Sequence, residues 1–225
     1  MSITVMSLNV RVWTRDRSKS GEHWWIKRYK AIHEYIKEQA PDIICLQEVW
    51  WPAKYVLRLG ALGYKKTGWG FSHPIFVRKN QKVSKSRVSL FSTMAIVGDI
   101  QVFSVHCRWE EKLFQRAMKW IRKNQIRHYW LKSCIACGDF NRSNISSIYD
   151  ATNHMRSARN FLKVSREDTF TNYKRPTQSH GEIDHFFVDI QIEPQSYEVG
   201  PSDLSDHRPI VLTFNVKGYD IERDL

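Results

Sequence analysis

The polar residues that could do chemistry in this sequence come in a fixed order: Asn9, Glu48, His106, Asp139 with Asn141, Asp184, and Asp206 with His207. Each falls at the end of an apolar run or just beside one. Polar groups gathered at one end of an apolar sheet are where ligands and catalysis belong, because the interior does not hold unpaired charge. The set contains what hydrolysis of a phosphate ester requires. An anionic phosphate repels a nucleophile, so a hard cation such as Mg²⁺ (or Mn²⁺) must neutralise it, and that cation takes oxygen ligands. Glu48 and Asp206 can supply carboxylates, and Asn9 an amide oxygen on the ion or on its ligands. Asp139 can orient or deprotonate water. The amide of Asn141 and the imidazoles of His106 and His207 can donate to phosphate oxygens. Asp184 can pair with His207, fixing its tautomer and raising its pKa. Singly these signals are weak, since an Asp or Asn after a strand is more often a turn or cap residue. The ordered set is far more specific.

The elements that must position these groups follow from hydrophobic periodicity. Ile3 to Val10 alternates as a strand, followed by a polar, basic loop from Arg11 to Gly21. A helix is expected from His23 to Gln39, stopped by Pro41. Ile43 to Glu48 reads as a buried strand, and Pro52 to Leu62 as a helix closed by Gly63. Strands are expected over Phe71–Arg78, Ser89–Val97 and Gln101–His106, the last two joined at Gly98-Asp99. The first two are joined by Lys79 to Val88, which with Arg78 carries five basic residues and no acid. That stretch is either a solvated hairpin loop or a contact for a phosphate backbone. A helix with Lys and Arg on its outer face spans Glu110 to about Leu131. Ser133 to Cys137 is a strand running straight into Gly138-Asp139-Phe140-Asn141. A partly helical stretch leads to Asp168-Thr169-Phe170. Strands Ile183–Asp189 and Pro209–Val216 end the chain.

Two hundred and twenty-five residues, 42% hydrophobic and 26% charged, suit one globular α/β domain over 1–225 and exclude a disordered tail. The net charge of +12 attracts polyanions, nucleic acid ahead of an acidic lipid surface. Cys134 and Cys137 have the spacing of a metal or redox pair, but three residues along a strand point to opposite faces. All four cysteines therefore read as buried free thiols in a reducing compartment. The N-terminus lacks the pattern of a secretory signal, and no apolar run approaches the ~20 residues of a membrane span. A soluble, intracellular protein is expected. Exposed tryptophans near Trp13, Trp50-Trp51 and Trp109 could stack on bases, although most of the nine belong in the core.

The segments Ser7-Leu8-Asn9-Val10-Arg11, Leu46-Gln47-Glu48-Val49, Val105-His106, Gly138-Asp139-Phe140-Asn141, Ile183-Asp184 and Ser205-Asp206-His207-Arg208-Pro209 resemble the motif series of the endonuclease/exonuclease/phosphatase superfamily. The resemblance spans nearly the whole chain. It implies a four-layered α/β sandwich, two packed mixed sheets flanked by helices, with the site at one edge. It also implies Mg²⁺ or Mn²⁺ dependence and makes Arg11 a phosphate contact. His185 stands where many members have Tyr, and Ser104 where many have Asn. The leading expectation is a nuclease or phosphodiesterase acting on nucleic acid. An inositol-phosphate or phospholipid phosphatase or phosphodiesterase is the alternative. An inactive binding protein is disfavoured because every required group is present.

Overall fold

A computed structural model describes residues 2–12, 25–50, 57–67, 72–127, 133–152, 155–171 and 181–217. These form two mixed six-stranded sheets flanked by helices. The first sheet has the order β11-β12-β1-β2-β4-β3 and the second β5-β6-β7-β8-β10-β9. In chain order the elements are β1 (Ile3–Asn9), α1 (Trp25–Gln39), β2 (Ile43–Gln47), β3 (Tyr64–Thr67), β4 (Ile75–Arg78), β5 (Val83–Val88), β6 (Ser92–Val97) and β7 (Ile100–His106). There follow α2 (Glu111–Arg127), β8 (Ser133–Asp139), α3 (Ile145–Ala151), β9 (Arg156–Ser157), α4 (Ala158–Phe161), β10 (Asp184–Val188), β11 (Ile192–Val199) and β12 (Ile210–Val216).

Each sheet is built around one parallel pair, β1 with β2 and β7 with β8, crossed over by α1 and α2 respectively. Strand alternation then sorts the side chains into layers. Val5, Ile43, Cys45, Val102, Ile135, Cys137, Phe186 and Val188 meet between the sheets. Met6, Leu8, Ile44 and Leu46 face α1. Phe103, Val105, Ala136 and Phe187 face α2 and α3. The architecture is the four-layered sandwich expected from sequence. Cys134 and Cys137 fall in different layers, and all four cysteines are buried and free.

The same alternation carries function. Five inward-facing rows change character toward one edge: Val5-Ser7-Asn9, Ile43-Cys45-Gln47, Val102-Ser104-His106, Ile135-Cys137-Asp139 and Val188-Phe186-Asp184. Register aligns the ends, with His106 opposite Asp139 and Asp139 opposite Asp184 in the second sheet. Between core and edge lies a buried hydrogen-bonded layer. The Gln47 amide donates to Ser7 Oγ at 3.3 Å and to Ser104 Oγ at 3.2 Å, so the serine at position 104 ties the two sheets together. Gly138 makes the closest backbone approach. Its φ is +138°, and a Cβ there would sit 2.1 Å from the Val105 carbonyl oxygen. Gly138→Ala is expected to cost about 2–5 kcal/mol through backbone strain and overpacking, read as a lower urea midpoint.

Several elements differ from expectation. The stretch over Lys79–Val88 is not a hairpin loop: Val83–Val88 is an edge strand paired with β6, while β4 belongs to the other sheet. Its sequence, polar on both faces and bulged between Val83 and Lys85, has no alternation to betray it, and basic side chains keep an edge from pairing further. Tyr64–Thr67 and Ile192–Val199 are also strands that the pattern hides. The first is short, with two lysines at the sheet edge. The second contains Pro194 at a bulge, which an edge strand tolerates. The loop expected over Arg11–Gly21, Phe71, Trp13 and Trp51 lie wholly or largely outside the described residues, as do residues 52–56 of the helix expected over Pro52–Leu62; of the rest of that helix only Leu57 is helical, and the chain from Leu59 to Gly63 runs in turns instead.

Candidate active site

Asp139 is the centre of the edge cluster. Its Oδ2 accepts from Asn9 Nδ2 at 3.1 Å and lies 3.7 Å from His106 Nε2 and 3.9 Å from His207 Nε2. Its Oδ1 accepts from the Asn141 backbone N–H at 2.8 Å. Glu48 stands across this group, with Oε1 3.4 Å from Asn9 Nδ2 and 3.8 Å from His106 Nε2, and Oε2 accepting from the Val12 N–H at 2.8 Å. His207 Nδ1 pairs with Asp184 Oδ2 at 2.8 Å. Asp206 receives Arg11 Nη1 at 2.6 Å, so that carboxylate already faces a guanidinium of the chain itself.

Two turns of the same design deliver these groups. In Asn9-Val10-Arg11 and in Asp139-Phe140-Asn141 the first side chain accepts the N–H of the third residue, at 3.0 and 2.8 Å. Val10 and Phe140 are driven into opposite helix layers. The third residue of each turn, Arg11 or Asn141, then returns to the site at a positive φ of 54° or 51°. Glu48, just past β2, has a φ of 58°. Left-handed backbone is costly for such residues and persists where the surroundings impose it, commonly at functional sites. The Asn141 amide donates one hydrogen to the Cys107 carbonyl at 3.0 Å, which fixes its plane and leaves a second N–H.

Burial sets the proton affinities. Desolvation pushes the Asp139 carboxyl up to about 7, although the charges and donors of His207, Asn141 and Asn9 pull it down. His207 is also buried, which opposes its charge, but Asp184, Asp139 and Asp206 outweigh burial and raise it to about 10. His106 moves the other way, down to about 4, because burial outweighs the pull of Glu48. At neutral pH His207 is therefore an imidazolium and His106 a neutral imidazole. His185, where a tyrosine is common in the resembling family, packs between Phe140 and Phe187, bonds to the Arg142 carbonyl at 2.7 Å and is likewise neutral.

Some positioning residues were not anticipated from sequence. Arg28 on α1 is 1% exposed and donates to the carbonyls of Val10 and Leu204, tying the turns that carry Asn9 and Asp206. Ser205 Oγ donates to the Asn9 carbonyl at 2.7 Å. Thr169 Oγ1 accepts the N–H groups of Ile183 and Asp184, both at 3.0 Å, and Phe170 packs its ring 4.9 Å from that of His207. In sequence Arg28 was one basic residue among 35 Lys and Arg, without a motif to mark it.

A sequence profile described as the Endonuclease/Exonuclease/phosphatase family matches residues 18–207. The chain belongs to that family. Its members are divalent-metal-dependent phosphoester hydrolases. The fold agrees with an endonuclease/exonuclease/phosphatase from Bacteroides vulgatus at a TM-score of 0.81 and 20% identity, covering 96% of this chain and 100% of that one. The mannosyl-6-phosphatase Bt3783 of Bacteroides thetaiotaomicron gives 0.79 and 19%, covering 95% and 99%. D. rerio TDP2, solved with a single-strand DNA product, gives 0.73 and 17%, covering 96% and 99%. A search of curated protein sequences gives no significant match. No helix among the described residues is long and apolar enough to cross a membrane.

Proposed function

We propose that this chain hydrolyses phosphodiester bonds of nucleic acid by water attack at the sandwich edge. The observation that carries the reading is Asp139. Its buried carboxylate lies within 4 Å of two imidazoles that differ in charge, and one hydrogen bond from a third donor, Asn9. Asp139 Oδ2 takes the proton of the attacking water, and Asn9 and Asn141 fix its orientation. His106, neutral, and the second N–H of Asn141 donate to the phosphate oxygens. His207, held charged against Asp184, stabilises the developing negative charge or protonates the leaving oxygen. Arg11 contacts the phosphate from the Asp206 side.

The donors fit a hard cation: Glu48, Asp206 and Asn9 offer oxygens from buried or nearly buried positions. Glu48 and Asp206, with Asn9 beside them, would hold Mg²⁺ (or Mn²⁺), which would supply charge neutralisation to a bound phosphate. Asp139, Asp184 and His207 also place one potential ligand atom each within 4.8 Å of one another. The His207 Nδ1–Asp184 Oδ2 hydrogen bond holds two of these side chains to each other and turns His207 Nε2 toward Asp139, so this trio reads as acid–base machinery.

The net charge of +12 favours a polymeric anion over a small ester. The test is turnover of single- and double-stranded DNA, RNA, an inositol phosphate and a sphingomyelin-type lipid with Mg²⁺, Mn²⁺ or excess chelator. Nucleic-acid cleavage that falls to near background in chelator and returns with added Mg²⁺ is expected. Cleavage confined to the inositol phosphate or the lipid would discard the nuclease, and turnover indifferent to chelator would discard the cation.

A further inference from the structure

The two crossover helices occupy equivalent places in the two halves of the sandwich, yet their outer faces differ in charge. On α1 the exposed side mixes Lys27, Lys30 and Lys37 with Glu34 and Glu38, and Glu34 pairs with Lys37 at 3.2 Å. On α2 the exposed residues Lys112, Arg116, Lys119 and Lys123 recur at steps of four, three and four, a single stripe on one face, with Arg122 beside it. No acidic residue occurs between Glu111 and Asp139. Glu111 itself is occupied by Arg142 at 2.8 Å and Gln115 at 2.7 Å. None of the five basic side chains has an ion pair among the described residues. Like charges at these spacings each cost the helix about 0.2–0.5 kcal/mol. A polyanion laid along the stripe would remove that cost.

The stripe begins six residues after His106, the last residue of β7. The Cys107 N–H donates to the Asp139 carbonyl at 2.8 Å, and Arg108 and Trp109 are exposed, Trp109 at 62%. Because β7 and β8 are parallel, α2 must run back from the site edge to the far edge of the sandwich. The stripe from Lys112 to Lys123 covers about 16 Å of that path. It follows the side wall, whereas the site opens at the edge. A flat membrane surface resting on the edge cannot also lie along the wall. A flexible single strand can turn the corner, with a base stacked on Trp109 and its phosphates on α2.

We propose that α2 is an extended binding surface for a single-stranded polynucleotide that leaves the reaction centre past Trp109 and runs along Lys112, Arg116, Lys119 and Lys123. The inference rests on the nucleic-acid reading above and adds that affinity depends on contacts well beyond the scissile phosphate. The test uses the full chain carrying K112Q, R116Q, K119Q and K123Q together. Glutamine keeps helix propensity and ends the repulsion, so the variant is expected to melt no lower than wild type. Its kcat/KM for a long single-stranded oligonucleotide is expected to fall roughly tenfold or more at low salt. The slope of log kcat/KM against log salt should become shallower by roughly two to three, the release of four phosphate contacts. Turnover of bis(p-nitrophenyl) phosphate, which reaches only the reaction centre, should not change. An unaltered oligonucleotide slope, or an equal loss on the small ester, would overturn the surface while leaving the nuclease intact. Loss of binding to anionic phosphatidylserine vesicles with undiminished oligonucleotide cleavage would also overturn it, in favour of a membrane contact. A wild-type protein that turns over the small ester and cleaves no polynucleotide would defeat the nucleic-acid reading itself.

Discussion

Asp139→Asn is expected to lower kcat/KM on the cleaved substrate by at least about 10³-fold, the scale of losing a general base together with its charge. The substitution is nearly isosteric. An asparagine Oδ1 can still accept from the Asn141 N–H, so the turn that follows β8 survives. Stability should move in the opposite direction to activity. The folded-state carboxyl is raised to about 7 by burial, against an ordinary value near 3.8. Between those two pH values the folded protein binds more protons than the unfolded chain, so stability is lost as pH rises through the window. The neutral amide does not suffer that loss. In chelator at pH 8 the variant is therefore expected to melt at or above wild type, and at pH 4 the advantage should shrink. An active, folded Asp139→Asn protein would sink the assigned mechanism; a variant that melts well below wild type at pH 8 would contradict the cost assigned to the buried charge.

What sequence could say about this molecule depended on whether a residue's role is local. The turn Asp139-Phe140-Asn141 is legible because strand end, apolar plug and returning amide are consecutive, and Gly138 beside it answers to a contact with the adjacent strand. The inward rows were legible because a strand's period of two sends Ile135, Cys137 and Asp139 to one face without any knowledge of the partner sheet. Three kinds of information were not legible. Edge strands hid for different reasons: Val83–Val88 buries little, so its hydrophobic signal vanishes and its basic residues read as loop, whereas Ile192–Val199 buries Ile192, Pro194 and Tyr197 but its proline and the bulge after it break the period. Long-range ties such as Arg28 to Leu204 depend on chain segments 176 residues apart coming together. And the state of a charged side chain depends on its partner: in sequence Arg11 is a free phosphate contact, but in the fold it lies against Asp206, and any contact with phosphate begins from that ion pair.

The pairing of His207 with Asp184 yields the second large expected effect. His207→Gln should reduce kcat/KM by about 10³-fold, since glutamine can donate a hydrogen bond but carries neither the charge nor a transferable proton. It fills a similar volume and can still donate to Asp184, which spares that carboxylate from being buried unpaired. Asp184→Asn removes the first of the charges that raise His207, so the imidazole's pKa must fall from about 10 toward its ordinary value. The sign of the pH effect follows. A step that needs protonated His207 proceeds below the imidazole's pKa and fails as pH rises through it. The alkaline limb of kcat/KM, near pH 10 in wild type, should therefore move to lower pH in Asp184→Asn. His207→Gln should show a reduced rate without that limb. If the two residues act as a unit, combining the substitutions costs little more than His207→Gln alone, because the carboxylate has no remaining role once the imidazole is gone. A double variant whose losses multiply would give Asp184 a separate task. Its Oδ1, buried without a hydrogen-bond partner among the described residues, would be the atom through which to seek it.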